Sequence, residues 1–101
     1  MKIEQPLDIG FTIYTKSGCS FCTNLKKLLI EKCIFFFEID CDNYLIENKE
    51  EFLSFITEKA NKDYRYFPIV FLNSSFIGGY NETKEYLDNL EKDYNNIFDL
   101  I

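Results

Sequence analysis

The sequence predicts an α/β domain built on a four-stranded mixed β-sheet flanked by helices, in the order β-α-β-α-β-β-α. Three observations carry that reading. Two apolar runs near the N-terminus are joined by a single helical pattern, the crossover that a right-handed parallel βαβ unit requires. Two later apolar runs are separated by so little chain that an antiparallel hairpin joins them. Apolar residues between and after these runs recur at helical spacing.

The first strand is "IGFTIYT", Ile9–Thr15, a mix of β-branched and aromatic residues of the buried type. Gly18 marks a turn, and a helix follows in which Leu25, Leu29 and Cys33 recur every four residues with Leu28 beside them. Lys26, Lys27 and Lys32 fall elsewhere on its surface. "IFFFEID", Ile34–Asp40, reads as a second, fully buried strand. From Asn43 to about Lys59, the positions of Leu45, Phe52, Leu53 and Ile56 predict a second helix with a polar outer face. "NKDYRYFP" is a loop running into Pro68. "IVFLN", Ile69–Asn73, and "SFIGG", Ser75–Gly79, form the hairpin. Tyr86, Leu87, Leu90 and Tyr94 give a C-terminal helix, and the apolar tail "IFDLI" is expected to dock.

Composition narrows the function. A chain of 101 residues is one domain, residues 1–101, and 47% hydrophobic content with 11 Phe and 7 Tyr fills its core without disulfide staples. A formal net charge of −6 argues against nucleic acid as a partner and against a polybasic membrane anchor. "MKIEQPLDIG" carries no export signal, and "CIFFF" is far too short to span a bilayer. Four cysteines in such a chain point to reduced thiols, and so to a cytoplasmic setting, and a monomer is the default for a domain this small.

Cys19 and Cys22 stand three positions apart where the first strand's loop meets the first helix. Unpaired N–H groups and the positive end of the helix dipole there favour a thiolate, and Lys16 adds positive charge. Cys22 lies one turn on, within reach of a mixed disulfide formed on Cys19. A zinc site would need four ligands. The chain has 0 His, and Cys33 and Cys41 are not spaced as a second knuckle, so no metal is expected. Cys33 shares the apolar stripe of Leu25 and Leu29 and reads as core, while Cys41, ending the second strand, is left open.

With "YTKSGCSFC", "RYFPIVFLNSSFIGG" and the "YNE" that follows, the chain resembles a dithiol glutaredoxin of the thioredoxin-fold superfamily from about Ile9 to Tyr94. The resemblance implies that Cys19 is the nucleophile taking a glutathionyl group and Cys22 the resolving thiol. It implies that Lys16 and Arg65 hold the glycyl carboxylate of glutathione and that the Phe67 backbone pairs with its cysteinyl part. Pro68 matches the family's cis-proline, and Phe21 lies in the active-site loop against the ligand. Gly78 and Gly79 allow close approach, and Asn81 and Glu82 stand where the γ-glutamyl end is held. The chain departs from the family in three places: Cys-Ser-Phe-Cys replaces the common Cys-Pro-Tyr-Cys, the bulky Tyr66-Phe67 replaces a small β-branched pair, and Asn81 replaces a frequent acid.

The function so implied is glutathione-dependent thiol–disulfide oxidoreduction, with glutathione as reducing co-substrate and disulfide-bonded or glutathionylated proteins as partners. Two alternatives stand beside it. One is reduction by thioredoxin reductase, although typical thioredoxins carry a Trp and this chain has 0. The other is a carrier of a [2Fe-2S] cluster, which some relatives hold between two protomers with glutathione.

Overall fold

A computed structural model describes the backbone of residues 1–99 and the side chains of residues 1–93. Its elements follow the expected order: β1 (Phe11–Thr15), α1 (Ser20–Glu31), β2 (Phe36–Asp40), α2 (Asp42–Ala60), β3 (Ile69–Leu72), β4 (Ser75–Gly78) and α3 (Tyr80–Asp99). The sheet order is β2-β1-β3-β4. β1 runs parallel to β2, with Thr15 opposite Asp40, and antiparallel to β3, with Tyr14 opposite Ile69. This is the thioredoxin-like arrangement that the element order predicts.

Strand periodicity sorts the core into two halves. Tyr14, Ile39, Ile69 and Phe71 face α2, where they pack with Phe52, Leu53 and Ile56. Phe11, Ile13 and Val70 face the other way, against Leu25 and Leu29 of α1 and Leu87 of α3. Every residue of β1 is buried, because the strand lies between two neighbours and under helices on both faces. Buried Tyr14 sends its hydroxyl to the Glu4 carbonyl at 2.7 Å, which pins the N-terminal segment to the sheet.

Several expectations are corrected. β1 begins at Phe11 rather than Ile9, because Gly10 turns the chain at φ +88° and leaves Ile9 exposed. β2 is an edge strand rather than a fully buried one, and only Ile39 of its five residues is buried. α2 is broken at Asn48 (φ −160°, ψ 86°), whose side-chain oxygen accepts the Glu51 N–H at 3.1 Å and restarts the helix. α3 begins at Tyr80, earlier than its apolar spacing indicates, and Leu90 is exposed on it. The Tyr94 side chain and the packing of the tail "IFDLI" lie outside the described residues.

The largest local correction concerns Cys33, which is exposed rather than core. α1 stops at Glu31, and Cys33 takes a left-handed conformation at φ +57°. Its N–H donates to the Ile30 carbonyl at 3.0 Å, and the Ile34 N–H to the Leu29 carbonyl at 2.8 Å. These are the two bonds of a Schellman motif, with cysteine at the position that usually holds glycine. The four-residue stripe therefore runs out one turn before Cys33.

The left-handed conformation costs an L-residue roughly 1–2 kcal/mol, while glycine's extra unfolded-state freedom takes back about 0.5–1 kcal/mol. Cys33→Gly is therefore expected to stabilise the protein by about 0.5 kcal/mol or somewhat more in urea unfolding under reducing conditions. A loss of stability would show that the thiol makes a contact outweighing the backbone strain.

Candidate active site

The chain leaves β1 at Thr15 and crosses Lys16, Ser17 and Gly18 before α1 begins. Asp42, the first residue of α2, grips this loop by accepting bonds from the Ser17 N–H at 2.8 Å and the Ser17 hydroxyl. Those bonds hold the Asp42 carboxyl below the usual aspartate range. Gly18 makes the turn at φ +69°, a conformation that side chains other than glycine adopt only with strain.

Cys19 is the N-cap of α1, and its Sγ accepts the Cys22 N–H at 3.1 Å. A sulfur in that position meets a helix donor that would otherwise lack a partner, and a thiolate gains more from it than a thiol does. Cys22 follows within the first turn, 2% exposed, and the two sulfurs are joined as a disulfide across a Cα–Cα distance of 5.3 Å. A partly exposed Cys19 is thus backed by buried Cys22. Cys41 and Cys33 do not join this pair. Cys41 is buried, its thiol pushed far up by burial and by the negative charge of Asp40. Cys33 lies beyond the far end of α1, roughly 20 Å away at 1.5 Å per residue.

Phe67, the residue before Pro68, is held in an aromatic column. Its ring stacks on Phe52 with centroids 6.1 Å apart, and Phe52 stacks in turn on Tyr44 at 5.6 Å. The Lys16 ammonium lies over the Phe67 ring, 5.4 Å from its centroid, so the ring also steadies a charge, an interaction of about 0.5–1 kcal/mol at an exposed site. The Phe67–Pro68 peptide is cis, and Phe67 lies off the end of the β1–β3 ladder, whose last pair is Tyr14 with Ile69.

Phe67 is shared by two small cavities. One, of about 180 Å³, is lined by Lys16, Leu45, Lys49, Leu53, Arg65 and Phe67. It brings together the predicted Lys16 and Arg65, and Arg65 also bonds Asp63 at 3.2 Å. The other, of about 140 Å³, gathers the predicted Phe21, Gly79, Asn81 and Glu82 with Tyr64, Tyr66 and Tyr80. Phe21 is half exposed, its ring 5.9 Å from that of Tyr80. Glu82 caps α3: its Oε1 accepts the Gly79 N–H at 2.8 Å and the Tyr64 hydroxyl at 3.3 Å. Burial and this carboxylate push the Tyr64 hydroxyl up to about 12, so it stays a donor.

The paired glycines have a visible use within the chain. A Cβ on Gly78, at φ +136°, would lie 2.7 Å from Glu82 Oε1, and one on Gly79 would lie 2.6 Å from the Tyr64 hydroxyl. A third, polar cavity touches Cys19 and Cys22 from the β2 side. There Glu38 accepts the Thr15 hydroxyl at 2.7 Å and pairs with Lys26 at 3.1 Å. Burial alone would raise the Glu38 carboxyl, but those bonds outweigh it and hold it low. Among the described residues, no group of three or more His, Cys, Asp or Glu is arranged to hold a metal ion.

Sequence reasoning missed Lys49 and the tyrosines around the second cavity. Lys49 left a signal: it stands midway between Leu45 and Leu53 at four-residue spacing, a charge inside an apolar stripe. The tyrosines had none, since only the folded loop brings Tyr64 and Tyr66 opposite Tyr80.

Comparison with known proteins agrees with this geometry. Residues 11–77 match the family model described as Glutaredoxin. Glutaredoxin 1 of Rickettsia felis is 33% identical over 67 residues, covering 66% of this chain and 61% of that protein. Glutaredoxin 1 of Rickettsia typhi is 33% identical over 81 residues, or 80% of this chain and 69% of that protein. The match thus spans about three-fifths of the length of the first relative. Among solved structures, Francisella tularensis glutaredoxin 1, in complex with cacodylate, superposes with a TM-score of 0.70 at 27% identity, covering 81% of this chain and 95% of that one.

Two outcomes are expected from this arrangement. After reduction, Cys19 and Cys33 should react with iodoacetamide before Cys22, and Cys41 should stay unmodified until the protein unfolds. Mass spectrometry of the time course checks this, and early labelling of Cys41 would contradict its burial. The second outcome concerns the grip of Asp42 on Ser17. A carboxyl lowered on folding stabilises fully above its unfolded value, about 3.9, and loses that contribution as pH falls through the lower folded value. Asp42→Ala should therefore cost stability at neutral pH, and the gap from wild type should close in acid. A gap constant with pH would show that the bonds to Ser17 do not depend on the charge.

Proposed function

Because the chain belongs to the glutaredoxin family, we propose that it is a glutathione-dependent thiol–disulfide oxidoreductase acting on disulfide-bonded and glutathionylated proteins. One observation carries the reading. A partly exposed Cys19 at a helix N-terminus, backed by buried Cys22, is flanked in the chain by Lys16 and Phe21, which line two cavities that meet at Phe67 and differ in charge.

In the proposed reaction, the Cys19 thiolate attacks the glutathione sulfur of a protein–glutathione mixed disulfide. The Cys19–glutathione bond forms, the bond to the protein sulfur breaks, and the protein thiolate leaves to take a proton from water. The thiolate of a second glutathione then attacks the glutathionyl sulfur on Cys19. Oxidised glutathione departs and the Cys19 thiolate is restored. For a protein disulfide, Cys22 displaces the substrate thiol from Cys19, closing the disulfide present in this structure, which two glutathiones reopen.

The surrounding residues fit the ligand's charges. Lys16 and Arg65 would meet the glycyl carboxylate, the ligand's extended backbone would run beside Phe67, and the γ-glutamyl end would lie at the start of α3 near Asn81. A [2Fe-2S] cluster would draw Cys19 from each of two protomers and two glutathiones, so it belongs to a dimer and is not part of this monomeric reading. We further propose that the protein works as a monomer in a reducing, cytoplasmic compartment. No helix among the described residues is long and apolar enough to cross a membrane.

The test is reduction of a small glutathionyl mixed disulfide, with glutathione reductase and NADPH recycling the glutathione. Wild-type protein should turn over well above the uncatalysed rate, and Cys19→Ser should abolish the gain. Cys22→Ser should keep turnover on the mixed disulfide while losing reduction of protein disulfides. Retained activity in Cys19→Ser would make the assignment of the nucleophile wrong.

A further inference from the structure

The polar cavity on the β2 side of the dithiol, about 230 Å³, takes no part in the proposed reaction, although Cys19 and Cys22 both line it. Its charges come from three elements: Lys16 from the loop before α1, Lys26 from α1, and Glu38 and Asp40 from β2. Lys16 is steadied over Phe67, and Asp40 accepts the Asp42 N–H at 2.9 Å. Asp42, at the start of α2, is itself turned onto Ser17. Lys26 and Glu38 are left to each other, Nζ to Oε2 at 3.1 Å.

Glu38 breaks the pattern of its strand. It stands level with Ile13 and two residues beyond Phe36, on the sheet face that α1 covers. Phe11, Ile13 and Phe36 make that face apolar. A carboxylate placed there needs partners, and Oε2 has two, the Thr15 hydroxyl at 2.7 Å and the Lys26 ammonium. Burial works against its charge but the two bonds outweigh it, so Glu38 is a carboxylate at neutral pH. Lys26 lies one helical turn beyond Cys22 and two beyond Cys19, so all three share one face of α1. The rise along the axis from Cys22 to Lys26 is about 6 Å. A cation so placed favours thiolates over thiols, and Glu38 offsets it.

We propose that Glu38 sets the potential of the Cys19–Cys22 pair: by holding the Lys26 ammonium, it withholds that charge from the sulfurs and makes the dithiol a stronger reductant. The reduced pair carries negative charge on sulfur, whereas the disulfide carries none. An unpaired cation beside the sulfurs therefore stabilises the reduced form and makes the disulfide more oxidising. Glu38 acts through Lys26 and is a positioning residue. The inference rests on the dithiol reading above and adds the group that fixes how readily the pair gives up electrons.

The test is equilibration of the pair in buffers of reduced and oxidised glutathione, followed by acid quench, alkylation and mass spectrometry. In that equilibrium two glutathiones reduce the Cys19–Cys22 disulfide, giving the dithiol and one oxidised glutathione. Glu38→Gln, which keeps an acceptor for Thr15, should shift it toward the dithiol about threefold, the scale of one charge at a partly exposed site. Lys26→Gln should shift it toward the disulfide by a similar factor, and the double variant should return close to wild type. Lys27→Gln changes the net charge equally but stands about 100° round the helix, and it should leave the equilibrium alone. Iodoacetamide labelling of Cys19 against pH should show its midpoint falling in Glu38→Gln and rising in Lys26→Gln. A pair that only pins α1 to β2 would lower unfolding stability in both single variants and leave their equilibria at the wild-type value. That result, or shifts of the same sign in both, would overturn the role of Glu38 while the dithiol reading stands. Wild-type protein that stays in one form at every glutathione ratio would instead overturn the dithiol reading and this inference with it.

Discussion

The site depends on where β1 ends. Its five residues are buried on both faces and hydrogen-bonded on both edges, so the strand has no freedom to shift. Parallel pairing to β2 brings Thr15 level with Asp40, and antiparallel pairing to β3 brings Tyr14 level with Ile69. One end of the sheet therefore collects the loop to Cys19, the start of α2 and the segment entering β3 at Pro68. None of these segments is close to another in sequence. Slipping β1 by a single residue would move Tyr14 to the wrong face and carry the cysteine loop away from Phe67.

Much of this was legible because burial leaves a periodic trace. The runs around Ile13 and Val70, the helical leucines at 25 and 29, and the short gap before Ser75 sufficed for the element order and the hairpin. The Cys-x-x-Cys position at a strand-to-helix junction sufficed for the dithiol. Errors fell where local geometry overrides periodicity. Cys33 fits the four-residue stripe, yet a Schellman turn ends the helix before it, and no residue there announces the stop. "IFFFEID" looks buried because phenylalanines crowd it, but edge position depends on which strands pair, and apolar content does not report pairing.

The candidate site divided along the same line. Lys16 carries a signal because it precedes the Cys-x-x-Cys by three residues, and Arg65 and Phe67 because the family resemblance aligns them just before Pro68. Lys49 was overlooked because a charge in a helix is usually solvent-facing, and its neighbours Leu45 and Leu53 had already been read as core. The break at Asn48 is also silent in sequence, since asparagine occurs in helices as well as at their caps. Its effect shows only when Glu51 is seen bonded back to it.

The bulky Tyr66-Phe67 pair replaces the small residues that relatives usually carry before the proline, and crowding of the dithiol is the obvious concern. The column from Tyr44 through Phe52 to Phe67 accommodates the larger ring. Near-parallel rings, at 12° and 13° between planes, stack Phe67 on Phe52 of α2. Its outer face then supports the Lys16 ammonium, a role that an aliphatic side chain in its place would not fill. Tyr66 points to solvent, 76% exposed, with its ring edge against Tyr64. What the pair contributes is therefore the lip of the site: an aromatic ring shared by the cationic cavity and the one at the start of α3, and an exposed tyrosine lining the latter. Cys19 capping α1 and the buried Cys22 behind it do not depend on either ring.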